Sequence, residues 1–329
     1  MSRPRVVVIG AGMAGLTAAH GLSSVCEVTV VDKARGVGGR LATRRIGEAT
    51  LDHGAQFMTT HTSEFAEMLQ RWVATGVVTD WFRGRIGPEG ETDPDGHLRF
   101  RGQVSMNAVA KKLSESLDVR SASPVSALID QGDRWVVSMA DGTELAAEGI
   151  VVTAPVPQSL ALLNNGGVAL SAEDVAALTA IAYEPCLALM AVLDGPSGLP
   201  APGAVDPIAG SIDWMADNQI KGISAVPAVT IHATAEFSRT YWDAPDKEIA
   251  DLLLAAASLD SAVVPETMQI QRWLYARPSV VHPERCLRID GVAPLVCAGD
   301  AFGGAKVEGA ALSGAAAAQE LLAALDGDV

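Results

Sequence analysis

The sequence predicts an α/β fold, a Rossmann-type dinucleotide-binding domain with an inserted α+β domain. Three observations carry this. A short β-branched run at the N-terminus leads into a glycine-rich loop and then a helical pattern. A second strand–glycine–helix pattern stands near the other end of the chain. Between the two, strands with alternating polar and apolar faces replace the βα rhythm.

Composition sets the outer bounds. At roughly 100–200 residues per domain, 329 residues allow two domains or one large one. Hydrophobic residues make up 49% and charged residues 19%, enough for a sizeable core and too apolar for a disordered chain. Lys plus Arg is 24 and Asp plus Glu is 39, a formal charge of -15, which argues against a nucleic-acid partner. Cys26, Cys186, Cys286 and Cys297 show neither C-x-x-C nor metal-ligand spacing. They read as reduced thiols of a cytoplasmic protein, with no metal site. The most apolar stretch, Gly309–Leu325, is interrupted by Gln319 and Glu320, so no membrane partner is expected. Met1–Arg5 followed by Val6–Leu22 mimics a signal peptide, but the same residues spell a better strand–loop–helix signature.

In that signature Arg5–Ile9 is the buried strand, Gly10-Ala11-Gly12-Met13-Ala14-Gly15 the loop, Leu16–Leu22 the helix and Glu27–Val31 the second strand. Gly10 makes the tight turn. Gly12 lets backbone approach a pyrophosphate, and Gly15 lets helix and strand pack closely. The helix N-terminus offers free N–H groups and a positive dipole end to phosphates. Asp32 closes the second strand 20 residues after Gly12, where an acceptor for a ribose hydroxyl is needed. This loop alone does not separate NAD from FAD.

Two further clusters favour the flavin. Lys33-Ala-Arg-Gly-Val-Gly38-Gly39-Arg40-Leu41 brings more glycine backbone and a guanidinium toward a diphosphate. Pro294–Ala298 reads as a strand, ended by Gly299-Asp300; Gly303, Gly304 and Gly309 then lead into a helix over about Val307–Leu325. A second helix N-terminus suits the far end of a longer cofactor: Asp300 on the ribityl chain, the dipole at the pyrimidine edge of reduced flavin. The two ends of the chain are therefore expected to fold together around FAD.

VVVIGAGMAGLTAA, DKARGVGGRLATRR, LDHGAQFMTT and CAGDAFGGAKVEGAALSGAAAA, in this order, resemble the flavin amine-oxidase superfamily. IVVTAPVPQSLALL, ADNQIKG, AVTIHATAEF and IQRWLYARPSV resemble one branch of it, the renalases and renalase-like bacterial oxidoreductases. Lys306 before Val-Glu-Gly fits the bacterial type better than the animal type. The resemblance runs over essentially the whole chain. It implies a p-hydroxybenzoate-hydroxylase-like FAD-binding domain and places Leu51–Phe57 near the flavin ring. The cofactor-binding residues are then Gly10, Gly12, Met13, Ala14, Gly15, Asp32, Lys33, Gly39, Arg40, Leu41, His53, Gly54, Ala55, Gln56, Phe57, Val125, Gly299, Asp300, Lys306, Val307, Glu308 and Ala310. Gln56 also reaches the substrate side. The resemblance further implies a substrate class, the misreduced 2- and 6-dihydro isomers of NAD(P), with electrons passed to O2 to give H2O2.

In the middle of the chain, Arg134–Met139, an Asp141-Gly142 turn and Gly149–Thr153 form a small β excursion and a return strand. Tyr183–Leu193 is apolar on both faces, hence a central strand. Ala228–Phe237 alternates, with Thr230, His232, Thr234 and Glu236 on the polar face. Thr267–Tyr275 puts Gln271, Trp273 and Tyr275 on one side, and Ala244–Leu259 reads as an amphipathic helix behind the sheet. Pro196–Pro207 and Gly84–Gly102 read as loops, the latter a candidate flap. The expected domains are 1–75, 100–158 and 284–329 for FAD, and 76–99 with 159–283 for substrate.

Asn218, His232, Trp273 and Gln56 are the candidate catalytic residues. Trp273 can stack on a flat ring, and Asn218 and His232 can bond a carboxamide. Lys221 or Arg239 near the mouth could meet substrate phosphates, or be solvated. The rivals are an amine oxidase of the same fold and a non-catalytic FAD-binding regulator. Amine oxidases carry a lysine near the flavin, and in the corresponding strand context Trp273 stands instead. Covalent flavin through Cys286 is conceivable, but its neighbourhood lacks the amine-oxidase pattern. The expected partners are a small-molecule substrate and O2, and the expected state is a monomer or weak homodimer.

Overall fold

The structure, a computed structural model, describes residues 3–87, 90–206, 210–257 and 259–327. Pro207, at the end of one expected loop, and Ser258, inside the expected helix 244–259, lie outside the described residues, as do residues 88–89 of the expected flap.

The chain forms two compact units, each assembled from separated segments. The first comprises Met1–Gly39, Ala110–Tyr183 and Arg277–Val329; the second comprises Arg40–Val109 and Glu184–Ala276. Residues 40–75 and 100–109 thus fall in the second unit, and 159–183 and 277–283 in the first, unlike the boundaries drawn from sequence. Packing explains both. Ala49 and Leu51 sit in one buried cluster with Met190, Val192 and Ala228. Leu163 and Leu178 sit in the core of the first unit with Ile9, Val152 and Trp135.

The first unit holds a six-stranded sheet. Its order is Leu287–Ile289, Leu295–Cys297, Gly149–Val152, Arg5–Ile9, Glu27–Val31 and Asp118–Arg120. All neighbours are parallel except the first pair. Val6–Ile9 are buried without a break, as a strand covered on both faces requires. The helix Met13–Leu22 starts at the glycine loop and buries Leu16, Ala18, Ala19 and Leu22. The C-terminal helix Lys306–Gly327 lies directly against it. The contact is close enough that a Cβ on Gly314 would stand 2.1 Å from the Ala14 carbonyl oxygen, and one on Gly21 2.7 Å from Ala318 Cβ. The two ends of the chain therefore do fold together. A three-stranded sheet, Val125–Asp130, Trp135–Met139 and Glu144–Ala147, completes the core, with Trp135 Nε1 donating to the Pro294 carbonyl at 3.2 Å.

The second unit holds a five-stranded sheet ordered Ala204–Val205, Ile212–Asp217, Ala228–Ala233, Ala182–Leu193 and Pro265–Val280. The helix Asp246–Ala256 buries Ile249, Ala250 and Leu253 against Leu187, Leu189 and Ile231. Ile231 and Ala233 face that core, and Thr230 and His232 make polar bonds on the opposite face, as the alternation predicted. The strand stops at Ala233, short of Phe237, because the Thr234 hydroxyl caps a helix over Ala235–Thr240 by accepting from Phe237 N.

The loop expected at Gly84–Gly102 is a correction. Val78–Ile86 and Thr92–Gly102 pair as an antiparallel hairpin, closed by Gly87 N donating to the Glu91 carbonyl. Its glycines and Pro94 read as loop, but Trp81, Phe82, Leu98 and Phe100 supply the β-formers that hold it. A second hairpin, Thr43–Ile46 with Ala49–Asp52, turns at Gly47, and the helix Ser63–Ala74 is capped by Thr62. Among the described residues no helix is long and apolar enough to cross a membrane.

Gly314→Val tests the helix contact. The added atoms have backbone in front of them, so unfolding free energy should drop by about 1–3 kcal/mol, read as an earlier urea midpoint. An unchanged midpoint would show that the two helices do not need this approach.

Candidate functional site

In the first unit, the glycine loop is shaped by its neighbours at two positions and left open at a third. Gly10 has φ +106°, and a Cβ there would lie 2.5 Å from Thr153 Oγ1. A Cβ on Gly15 would lie 1.8 Å from the Gly10 carbonyl oxygen. Among the described residues nothing comes closer to a Cβ on Gly12 than the Gly38 carbonyl oxygen at 3.9 Å, so the clearance there is of use to a ligand's backbone contact rather than to packing. Gly12 is also the N-cap of the helix Met13–Leu22 and supplies no side-chain bond, and the first turn carries no acidic residue. Its N–H groups and dipole are thus available to a diphosphate. Asp32 accepts from Ala11 N at 2.7 Å and Ala34 N at 2.7 Å, one bond to each oxygen, leaving lone pairs for ribose hydroxyls.

The other glycine clusters join this loop. Gly38 N donates to the Ala11 carbonyl at 2.8 Å, and a Cβ on Gly39 would stand 3.4 Å from Gly12 Cα. Thr153 Oγ1 donates to the Ile9 carbonyl at 2.9 Å, and a Cβ on Gly299 would lie 3.8 Å from the Thr153 carbonyl oxygen. One threonine therefore abuts both glycine turns. Gly299 N donates to Ser313 Oγ of the C-terminal helix at 2.8 Å. Asp300, Val307 and Glu308 are buried there, Ala310 is half-buried, and Lys306 is exposed with φ +80°. Two glycine turns, the Asp32 carboxylate and two helix N-termini at the C-terminal ends of the parallel strands fit an extended dinucleotide. Lys33 donates to Gln158 at 2.9 Å, and Val125, at the start of its strand, packs on the core of this unit.

In the second unit the sequence-predicted residues Arg40, Leu41 and His53–Phe57 surround a buried polar cluster. Its centre is Lys221, expected at a mouth or in solvent and found 1% exposed. Asp217 turns the chain here: its Oδ1 accepts from Gln219 N and Ile220 N, and its carbonyl accepts from Lys221 N. That one helical turn sends the lysine inward. Lys221 Nζ donates to Asp52 Oδ2 at 2.9 Å, to the Gln56 carbonyl at 2.8 Å and to Gln56 Oε1 at 3.3 Å. The Trp81 ring lies 4.9 Å from Nζ. Asp52 Oδ1 accepts from Thr43 Oγ1 at 2.5 Å and Met106 N at 3.0 Å. Burial lowers the Lys221 pKa, and the Asp52 carboxylate opposes that shift.

Asn218 and Gln56, expected as polar handles for substrate, are interior residues. Asn218 is fully buried; its amide donates to Thr230 Oγ1 at 3.0 Å and the Ala228 carbonyl at 3.3 Å, and its oxygen accepts from Asp52 N at 3.4 Å. Gln56 Nε2 donates to the carbonyls of Asp52 at 2.6 Å and Gly54 at 3.2 Å. Their polar atoms are committed to main chain and to the Thr230 and Lys221 side chains, so they support the cluster from within. Arg40 likewise donates to the carbonyls of Tyr275 at 3.2 Å and Ala276 at 3.4 Å. Leu41 is buried, Ala55 N donates to the Arg40 carbonyl, and a Cβ on Gly54 would stand 2.0 Å from that oxygen. Phe57 stacks obliquely on Trp214. Arg239 is an exposed residue 3.8 Å from Glu184.

Three of the expected residues meet at one atom. Trp273 Nε1 donates to the His53 carbonyl at 2.9 Å, and His232 Nε2 approaches the same oxygen at 3.2 Å. A carbonyl only accepts, so His232 carries its proton on Nε2 and its Nδ1 is left as an acceptor. The His53 ring stacks on Trp273, centroids 5.4 Å apart and planes 17° apart. His53 Nδ1 is buried with no hydrogen-bond partner among the described residues. Burial chiefly, with Arg44 and His232 adding, pushes the His53 pKa down to about 3. Burial also pushes His232 down to about 4; its bond to the His53 carbonyl opposes the shift and Lys221 adds to it. Both imidazoles are neutral at physiological pH. In a groove of the first unit, Cys286 keeps its proton, its pKa raised to about 11 by burial and by Glu320 and Glu284.

Residues 8–72 match the NAD(P)-binding Rossmann-like domain, and residues 72–322 match the flavin-containing amine oxidoreductases. The chain belongs to the flavin-containing amine oxidoreductase family. It is a flavin-dependent oxidoreductase of amine-oxidase type, and its cofactor is FAD. Solved structures share the fold. A protein from Exiguobacterium sp. 255-15 that carries the name protoporphyrinogen oxidase is 12% identical, with TM-score 0.73 over 99% of this chain and 100% of its own. Putrescine oxidase bound to putrescine is 15% identical, with TM-score 0.70 over 98% of this chain and 99% of its own. A redesigned double mutant of putrescine oxidase is 14% identical, with TM-score 0.72 over the same shares.

The histidines give a pH signature. Unfolded histidine titrates near 6.5, so below that pH the unfolded chain takes protons that the folded protein refuses. Stability should therefore be full above about pH 6.5 and fall as pH drops toward 4 and then 3, where His232 and His53 finally charge. Imidazole 15N NMR should show both rings neutral at pH 5.5; a midpoint near 6.5 for either would refute the buried, neutral pair.

Proposed function

We propose that this oxidoreductase takes hydride from an uncharged dihydropyridine, the 2- or 6-dihydro isomers of NAD(P). The supporting observation is the chemistry at the His53 carbonyl. Two neutral imidazoles and one indole gather there, and the carboxylate of the adjoining residue, Asp52, is spent on Lys221. Such a cluster suits a flat neutral ring with a carboxamide better than an ammonium ion, which asks for an anion or a carbonyl cage. Trp273 and His232 are both half-buried, unlike Asn218 and Gln56, and so keep surface for a donor.

In this reading Trp273 stacks on the donor ring while its N–H stays on the His53 carbonyl. His232 Nδ1 accepts from the carboxamide N–H, and the Nε2–H bond keeps the ring in the tautomer that can do so. No side chain has to move a proton, because the donor loses hydride from carbon and becomes the aromatic cation directly. When bound, FAD supplies the hydride acceptor and hands the electron pair to O2, giving H2O2. The residues that hold it would be Gly10, Gly12, Gly15, Asp32 and Gly39, with Asp300 and the N-terminus of the helix Lys306–Gly327.

Family membership favours a second reading, oxidation of an amine. Lys221 does not strengthen it, since all three of its N–H donors are already used. Anaerobic mixing with 2- and 6-dihydro-NAD(P), ordinary NAD(P)H and a panel of amines decides. One dihydro isomer should bleach the flavin, and Trp273→Ala should slow that step about 100-fold with FAD retained. Bleaching by an amine alone would reject the proposal; a flavin that nothing in the panel bleaches would point to a regulator without turnover.

A further inference from the structure

Lys221 Nζ reaches both ends of one short segment, Asp52 and Gln56. Between those ends every carbonyl but one is also held by a side chain. The Asp52 carbonyl accepts from Thr230 Oγ1 at 2.9 Å and Gln56 Nε2 at 2.6 Å, the His53 carbonyl from Trp273 and His232, and the Gly54 carbonyl from Gln56 Nε2 at 3.2 Å. The strand ends at Asp52. Beyond it main chain holds the N–H side of the segment: His53 N and Gly54 N donate to the Ala42 carbonyl at 3.0 and 3.4 Å, and Ala55 N to the Arg40 carbonyl at 2.8 Å. The carbonyl side is held by these side-chain donors.

A stability role alone does not account for such a lysine. Replacing a fully buried ion pair by apolar groups is often neutral or stabilising. What an apolar pair cannot do is close a segment from both ends with three directed bonds, and the ammonium here has no donor left over. The Trp81 ring on its flank covers it.

We propose that Lys221 is a positioning residue: it clamps Asp52 to Gln56 so that the His53 carbonyl stands where Trp273 and His232 can both anchor. Its bearing on turnover rests on the reading that those two side chains contact the donor; the anchoring itself does not.

The test uses the FAD-loaded full chain and two variants. Lys221→Met combined with Asp52→Asn removes the clamp without stranding a buried charge. Gln56→Leu keeps the ion pair and cuts the side-chain link, and it decides the matter if the double variant does not fold. The primary readout is hydrogen exchange of the Trp273 indole, assigned by its loss in Trp273→Phe. Exchange should accelerate about tenfold or more in the double variant and about threefold in Gln56→Leu. The amides of Ala228–Ala233 and the indole of Trp135 should keep wild-type protection. Unchanged exchange at Trp273 would overturn the proposal. So would equal acceleration at Ala228–Ala233, because that marks a general loosening. The rate of anaerobic flavin reduction should fall in parallel; if no dihydronicotinamide reduces the wild type, the substrate reading fails while the exchange result still judges the clamp.

Discussion

The ion pair between Lys221 and Asp52 is the constraint on which the second unit depends. Both side chains are sealed from solvent, so each charge is tolerable only because the other is there. Losing one partner alone would strand the other, at a cost of about 3–5 kcal/mol. The pair also consumes the charge of the cluster. Asp52 spends one oxygen on the lysine and the other on Thr43 and Met106, and the lysine spends its donors on Asp52 and Gln56. What is left at the His53 carbonyl itself is two neutral imidazoles and an indole, with the Arg44 guanidinium near enough to help depress the His53 pKa. An enzyme that binds a neutral ring benefits from that, since no buried charge must be matched when the donor arrives.

The first unit obeys a different constraint, close backbone approach. Gly10, Gly15 and Gly314 are set by what stands behind them, Thr153, the Gly10 carbonyl and the Ala14 carbonyl in turn. Gly12, unlike these three, is open in front, and it caps a helix whose first turn is free of acidic side chains. A pyrophosphate fits these two facts together. The fold and the cofactor thus follow from backbone geometry, while choice among donors follows from side chains. Relatives that share the fold at 12–15% identity can therefore differ in substrate.

This division explains what could be read in the sequence. Gly10, Gly12, Gly15 and Asp32 were legible because a tight turn, a close approach and a ribose acceptor each demand a residue type at a fixed spacing. His232 and Trp273, which meet at the His53 carbonyl, were named from strand alternation together with family resemblance. Lys221 was not. In Asp217-Asn-Gln-Ile-Lys221 it reads as part of a polar surface turn, and its burial is decided by Asp52, 169 residues away along the chain. Asn218 was singled out for the right neighbourhood and the wrong face, because nothing local says that Thr230 and the Ala228 carbonyl will claim its amide. The hairpin Val78–Gly102 was hidden by glycines and a proline that sit at its turn and bulges.

The most direct measurement is the pH dependence of the limiting rate of anaerobic flavin reduction by the best dihydronicotinamide isomer. The donor's dihydropyridine ring, His53 and His232 are all uncharged across the neutral range, so the rate should be flat between about pH 6 and 9. A rate rising about tenfold per pH unit would mean that a proton must leave the donor or a histidine first, and would contradict a site built for a neutral ring.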